Sequence, residues 1–187
     1  MGRPPKFGRD QILDAALAIV AEDGPGAATM AAIAARLGAP TGSLYHRFGS
    51  RDLLIATLWL RGVRRFQDGF VAALAAGDPY AAALHTPRWC RDHPAEAAVL
   101  LLHRREDLAA RWPAELGAEA AGADTRVRAA LDAFAAERPG LDRERLVFAL
   151  VDVPYGAVRR HLLARRPPPP LVDDLVLATC RAVLPPP

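Results

Sequence analysis

Two cysteines, one lysine, no long apolar run and no recognisable catalytic signature bound this chain of 187 residues before any motif is read. Cys90 and Cys180 stand far apart and lack the close spacing of a zinc or redox motif, so they read as reduced thiols of a cytosolic protein. His85, Cys90 and His93 match no standard zinc spacing, and no metal and no cofactor is expected. There is no G-x-S-x-G, no H-E-x-x-H and no glycine-rich phosphate loop. Glu106 and Asp107 are adjacent carboxylates, but neighbouring helix positions point in different directions, which suits surface charges. An enzyme is therefore not expected. No stretch approaches the roughly 18 consecutive apolar residues of a membrane span. The basic, proline-containing start lacks the apolar run of a secretory signal. The expectation is a cytoplasmic protein with no membrane partner. Absence of any β-type alternation makes an all-α chain the default.

What is present is an ordinary globular composition, 51% hydrophobic and 24% charged. The length holds one large or two small domains with ample core. Lys6 is the only lysine among the 24 basic residues, so positive charge is almost wholly arginine. That charge is unevenly placed. Residues 1–66 hold 9 Lys/Arg against 5 Asp/Glu, whereas residues 67–187 hold 15 against 16. Any contact with phosphate belongs to the N-terminal third.

The same third carries the most ordered pattern, TMAAIAARLGAPTGSLYHRF from Thr29 to Phe48. Met30, Ile33, Ala34 and Leu37 recur at helical spacing. Thr29 can cap that helix and Gly38 can end it in a left-handed conformation. Pro40 opens a second short helix through Leu44 and Phe48. Helix, glycine turn, helix is the helix-turn-helix pattern, whose second helix lies in the DNA major groove. Before it, residues 9–23 form a bracing helix with Ile12, Leu13, Ala16, Leu17, Ile19 and Val20 as its stripe. Leu44 and Phe48 face inward, leaving Thr41, Gly42, Ser43, Tyr45, His46 and Arg47 as candidates for DNA. Gly42 admits the backbone close to the groove wall, the hydroxyls reach phosphate or base edges, and Arg47 can address phosphate or guanine. Thr29, Arg36, Ser50 and Arg51 are further candidates for the DNA backbone. Arg3 and Lys6, in the arm MGRPPKFG, are candidates for the minor groove or flanking phosphates.

These residues resemble the TetR family of bacterial transcriptional repressors. The family pattern stands here as Thr29, Ile33, Ala34, Leu37 and Gly38, then Gly42, Leu44, Tyr45, Phe48, Ser50, Arg51 and Leu54. Pro40 departs from a frequent serine cap, and Arg51 replaces a usual lysine with the charge kept. The resemblance covers roughly the first third of the chain. It implies a three-helix DNA-binding head over residues 1–49 and a helical ligand-binding and dimerisation domain over residues 50–187. It also implies a palindromic double-stranded DNA operator, a homodimer formed through the last two helices, and release by a small, lipophilic effector.

Beyond the motif, Ser50 is expected to cap a long helix reaching Gly77, the mechanical link between the two domains. Helices follow from about Tyr80, ending before Pro94, over residues 95–110, from Pro113 or later to Glu137, over residues 142–165 with a kink near Pro154 and Gly156, and over residues 171–184. Prolines 167–170 form a stiff connector. Trp59, Phe70, Trp89, Trp112 and Tyr155, with His103 and Asp152 as polar groups, are candidates for an effector pocket or for ordinary core. A second reading stays open at this point: a helical small-molecule-binding or enzymatic protein whose helix-turn-helix is vestigial.

Overall fold

The computed structural model describes residues 7–102 and 116–184 and places nine helices among them, with no strand. Three form the head: α1 (Arg9–Asp23), α2 (Met30–Leu37) and α3 (Thr41–Phe48). A long α4 (Arg51–Ala75) follows. The remaining elements are α5 (Pro79–Asp92), α6 (Pro94–Leu102), α7 (Gly117–Ala136), a composite α8 and α9 (Leu171–Val183). α8 runs as Arg143–Val147, a π-helical turn Phe148–Asp152, and Val153–Leu163.

Local chemistry explains each boundary in the head. Gln11 Oε1 accepts from the Gly8 N–H at 2.7 Å and starts α1. Thr29 Oγ1 accepts from Ala32 N–H at 3.1 Å and caps α2. Gly38, at φ 61° and ψ 35°, ends α2, and Ala39 N–H returns to Ala34 O at 3.0 Å. Pro40 precedes the first residue of α3 and, having no side-chain acceptor, leaves that end without a side-chain cap. Ser50 Oγ accepts from Leu53 N–H at 3.1 Å, capping α4 as its position in the sequence predicts.

Two large hydrophobic clusters and a small third one, of Ala56, Leu60 and Leu116, hold the structure. The head cluster gathers Ile12, Leu13, Ile33, Leu44 and Phe48 around Leu54, Ile55 and Leu58 of α4, with Val99 of α6 joining them. The second cluster gathers Phe70 and Leu74 of α4 with Trp89, Leu131, Phe134, Leu146, Leu150, Val158 and Val176. At 1.5 Å per residue α4 is about 37 Å long, and its two ends sit in different clusters.

The kink expected near Pro154 takes the form of the π-helical turn. Val153 N–H donates to Phe148 O, five residues back. Widening the turn before Pro154 accommodates a ring that would clash with the preceding carbonyl and supplies no N–H. Pro87 also lies inside a helix, in the middle of α5, and is buried there. Arg91 grips Asp173 of α9 with two bonds of 2.8 Å, and Arg88 reaches the same carboxylate at 3.3 Å. Partial burial works to raise the pKa of Asp173, but the hydrogen bonds and charges of both arginines hold it below the usual carboxylate range. The clamp ties the last helix to α5.

His85, Cys90 and His93 have separate structural roles. His85 donates through Nε2 to Phe66 O at 2.7 Å, and burial lowers its pKa. His93 packs on Trp89 with ring centroids 5.3 Å apart. Cys90 is core, its thiol pushed up to about 12 by burial. His85 lies so close to α4 that a Cβ on Gly69 would stand 2.3 Å from its ring, whereas a Cβ on Gly122 in α7 meets nothing within 4 Å. Alanine normally gains about 1 kcal/mol over glycine inside a helix. Thermal unfolding should therefore show Gly122→Ala stabilising the protein by up to about 1 kcal/mol. Gly69→Ala should destabilise it by about 1–3 kcal/mol through overpacking. Equal gains in both variants would refute the close approach of α5 to α4.

Candidate nucleic-acid interface

Of the eight residues of α3, Leu44 and Phe48 are 0% and 1% exposed and anchor the helix in the head cluster. Four residues apart, they define one inward face. Thr41, Gly42, Ser43, Tyr45 and His46 are exposed and Arg47 is half-exposed. Tyr45, at 49% exposure, is a large aromatic standing in solvent. The uncapped start of α3 leaves the N–H groups of Thr41 and Gly42 without intrahelical acceptors, at the positive end of the helix dipole. Such an end favours an anion. Ser43 already donates its hydroxyl to Pro40 O at 2.7 Å, so in this conformation its oxygen is left as an acceptor. Arg47 takes part in no ion pair among the described residues, so its guanidinium is available.

The candidates outside α3 divide differently. Thr29 and Ser50 are exposed and half-exposed, and their oxygens serve as caps for α2 and α4. Arg36 forms a bidentate pair with Glu22 at 2.6 and 2.7 Å, joining α2 to α1. The hydrogen bond from Arg36, with its charge, holds the Glu22 carboxyl below its ordinary pKa. Arg51 donates from Nε to Ala28 O at 2.9 Å and from Nη2 to Pro25 O at 2.6 Å. Its main role in the free protein is thus a staple between the start of α4 and the turn leading into α2. Arg36 and Arg51 could be named as cations from the sequence, but their partners lie 14 and more residues away. Arg3 and Lys6 lie outside the described residues.

Two residues that sequence reasoning passed over complete the head. Arg9 lies over the Phe48 ring, 4.8 Å from its centroid, and reaches Thr57 Oγ1 at 3.4 Å. Arg61, only 15% exposed, projects from α4 to Asp14 of α1 at 2.8 Å, with Asp10 at 3.8 Å. Both tie the orientation of the head to α4. Only long-range packing marks them, and no local motif does.

The effector candidates do not converge. Phe70 and Trp89 are core, 2% and 7% exposed. Trp59 is half-buried against the head cluster. Asp152 and Tyr155 are exposed on α8. His103 and Trp112 lie outside the described residues. An open groove of about 780 Å³ instead runs between α4, α7 and α8, beside Gln67, Arg128 and Val151. A second cavity of about 300 Å³ lies between α1, α6 and the end of α8. None of the described aromatic candidates lines either one.

An all-helical chain whose N-terminal helices place one polar helix outward over an apolar pair is a helix-turn-helix protein with the fold of a DNA-binding transcriptional regulator. Residues 12–58 match the family model of bacterial regulatory proteins, tetR family. That match spans the three helices of the head and the first turns of α4, so this segment is similar to the DNA-binding region of the TetR family. No curated protein matches it. Its fold is shared along nearly the whole length by solved structures. One is a TetR-family member from Streptomyces coelicolor, with 22% identity, coverage of 95% of this chain and 98% of that one, and a TM-score of 0.66. Another is the multidrug binding protein EbrR, solved with imidazole, with 20% identity, 98% coverage of each chain and a TM-score of 0.64. A third is the fatty acid degradation regulator FadR from Bacillus halodurans, with 19% identity, 94% and 97% coverage and a TM-score of 0.63.

The division of labour between the two arginines near α3 is measurable. Replacing Arg51 with alanine leaves Ala28 O and Pro25 O without their donor and should lower stability by about 1–2 kcal/mol. Arg47→Ala should change stability by no more than about 0.5 kcal/mol. Matched denaturant titrations of the free protein decide the point; an Arg51→Ala curve superimposed on the parent would remove the staple.

Proposed function

We propose that the protein is a cytoplasmic, homodimeric repressor that binds a palindromic operator through α3 and is released from it by a small molecule. The outward face of α3 carries this reading: Thr41, Gly42, Ser43, Tyr45, His46 and Arg47 share one exposed, acid-free surface over a buried Leu44–Phe48 anchor. Arg36, Ser50 and Arg51 flank it and would touch phosphates on either side, with Arg51 giving up a loop carbonyl to do so. Arg3 and Lys6 would follow the adjacent groove.

Dimerisation is supported by Phe148, Tyr155 and Leu163 of α8 and Leu171 and Leu175 of α9, which are 47–61% exposed. Large apolar side chains grouped on two helices mark a surface that a second copy would cover. Two heads held in this way read half-sites one helical turn, about 34–36 Å, apart.

The groove beside α4 supports a place for the effector. Gln67 is 7% exposed, lines that groove, and its Oε1 has no hydrogen-bond partner. A buried amide oxygen left unpaired is costly, and a ligand that donates to it would relieve the loss. EbrR is described as a multidrug binding protein and FadR as a regulator of fatty acid degradation, which is in keeping with a largely apolar effector here. Binding against α4 would favour one head separation over another and so shift the operator-bound population.

A gel shift on DNA flanking the protein's own coding sequence tests the reading. Specific binding should fall by about 1–3 kcal/mol for Arg47→Ala and also fall for Tyr45→Ala, with folding intact. Binding that never exceeds the level of unrelated DNA would overturn it. Leu171→Glu with Leu175→Glu should yield a monomer in light scattering and abolish operator binding at concentrations where the parent is saturated.

A further inference from the structure

The cavity between head and body has features that neither the DNA-facing surface nor the α4 groove uses. Its walls come from three places. Val20 and Pro25 belong to the end of α1 and the turn after it, Ala98 to α6, and Leu162 to the end of α8. Arg165 and Arg166 stand at its edge, immediately beyond α8. The volume is about 300 Å³, the lower end of the range that holds a small organic ligand.

Arg165 and Arg166 are exposed at the edge of this cavity. Arg36, Arg51, Arg61, Arg64, Arg65, Arg88, Arg91, Arg126 and Arg143 each meet a carboxylate. Arg165 and Arg166 meet none among the described residues. Asp23, next to Gly24 of the cavity wall, contributes to the field at Arg36. Arg165 is also the one non-glycine described residue with positive φ, at 52°. A side chain in that conformation is strained. The residue closes the C-terminus of α8, its N–H returning to Leu162 O at 2.9 Å and that of Arg166 to His161 O at 3.0 Å, and its Nη2 lies 3.1 Å from where a Cβ on Gly24 would stand. The guanidinium of Arg165 thus reaches from the end of α8 to the turn after α1, over an apolar hollow.

We propose that this junction is a binding site for a compact amphipathic anion, a hydrocarbon body with a carboxylate head. The hydrocarbon would fill the space between Val20, Ala98 and Leu162. The carboxylate would take the paired donors of Arg165 and Arg166, whose planar forks suit bidentate contact. A ligand seated there touches α1 and the turn before α2 on one side and α6 and α8 on the other. Its occupancy clamps the head to the body in the observed arrangement, independently of whether the α4 groove takes an effector and of whether α3 reads an operator.

Octanoate added to the full-length protein tests this without DNA. Saturable binding by calorimetry, one per chain, is expected, with 1-octanol at least tenfold weaker because it lacks the charge. Arg165→Gly, which accepts the positive φ, combined with Arg166→Gln should weaken octanoate at least tenfold and leave octanol unchanged. Ala98→Leu should block both by filling the hollow. Hydrogen exchange should slow on binding in residues 20–27 and in residues 162–166 together. Equal affinity for octanoate and octanol, undiminished binding in the double variant, protection on one side only, or no saturable binding would each overturn the proposal. Loss of operator binding in an α3 variant that still takes octanoate would bear on α3 alone.

Discussion

One helix belongs to two hydrophobic cores, and the rest of the structure depends on it. The first turns of α4 supply Leu54, Ile55 and Leu58 to the head, and its last turns supply Phe70 and Leu74 to the body. A helix cannot bend sharply without breaking its own hydrogen bonds. A force applied to its far end is therefore delivered to the base of the head as a tilt or shift of the whole rod. The head is bound to this rod by polar contacts as well as by burial. Arg51 staples the turn before α2, Arg61 holds α1 through Asp14, and Arg9 lies across Phe48.

Those contacts also explain how arginine is used in a chain with a single lysine. Fixed, forked donors can satisfy two acceptors at once. Arg51 takes two loop carbonyls, Arg36 takes both oxygens of Glu22, and Arg91 takes both oxygens of Asp173. Much of the positive charge near the outward face of α3 is thereby already engaged in structure. What stays uncommitted is narrow: Arg47, the exposed polar side chains of α3, and the uncapped end of that helix. Pro40 makes that end open, since it offers no side-chain acceptor to the first N–H groups. A cap that the structure forgoes leaves donors facing outward.

The body presents its concavities away from its aromatic residues. Phe66, Phe70, His85, Trp89 and His93 pack on one another, Phe66 and Trp89 edge to face at 5.3 Å between centroids, and fill the centre. Open space occurs where helices diverge, along α4 beside Gln67 and at the junction beside Arg165. Both spaces touch elements that carry the head. The fold shared with solved structures concerns the whole scaffold.

The sequence by itself determined the helices and the inward and outward faces of the head. Hydrophobic period, Thr29, Gly38, Ser50 and the proline-glycine breaks are local signals, and local signals act within a turn or two of helix. Residues 9–23 were legible as a helix to the residue, and the face of α3 followed from the four-residue spacing of Leu44 and Phe48. Tertiary structure alone decided which polar groups stayed available. Arg36 and Arg51 read as exposed cations, and only the fold gives them intramolecular partners 14 to 26 residues away. Trp89 and Phe70, candidates for pocket or core in the sequence, are buried in the packed structure. The π-turn in α8 arose because a proline foreseen as a kink had to be fitted into a helix still packed along its length. The positive φ of Arg165 has no signature in a residue type that normally avoids it. Each is settled by what lies across from it in space, and a chain read in order does not contain that distance.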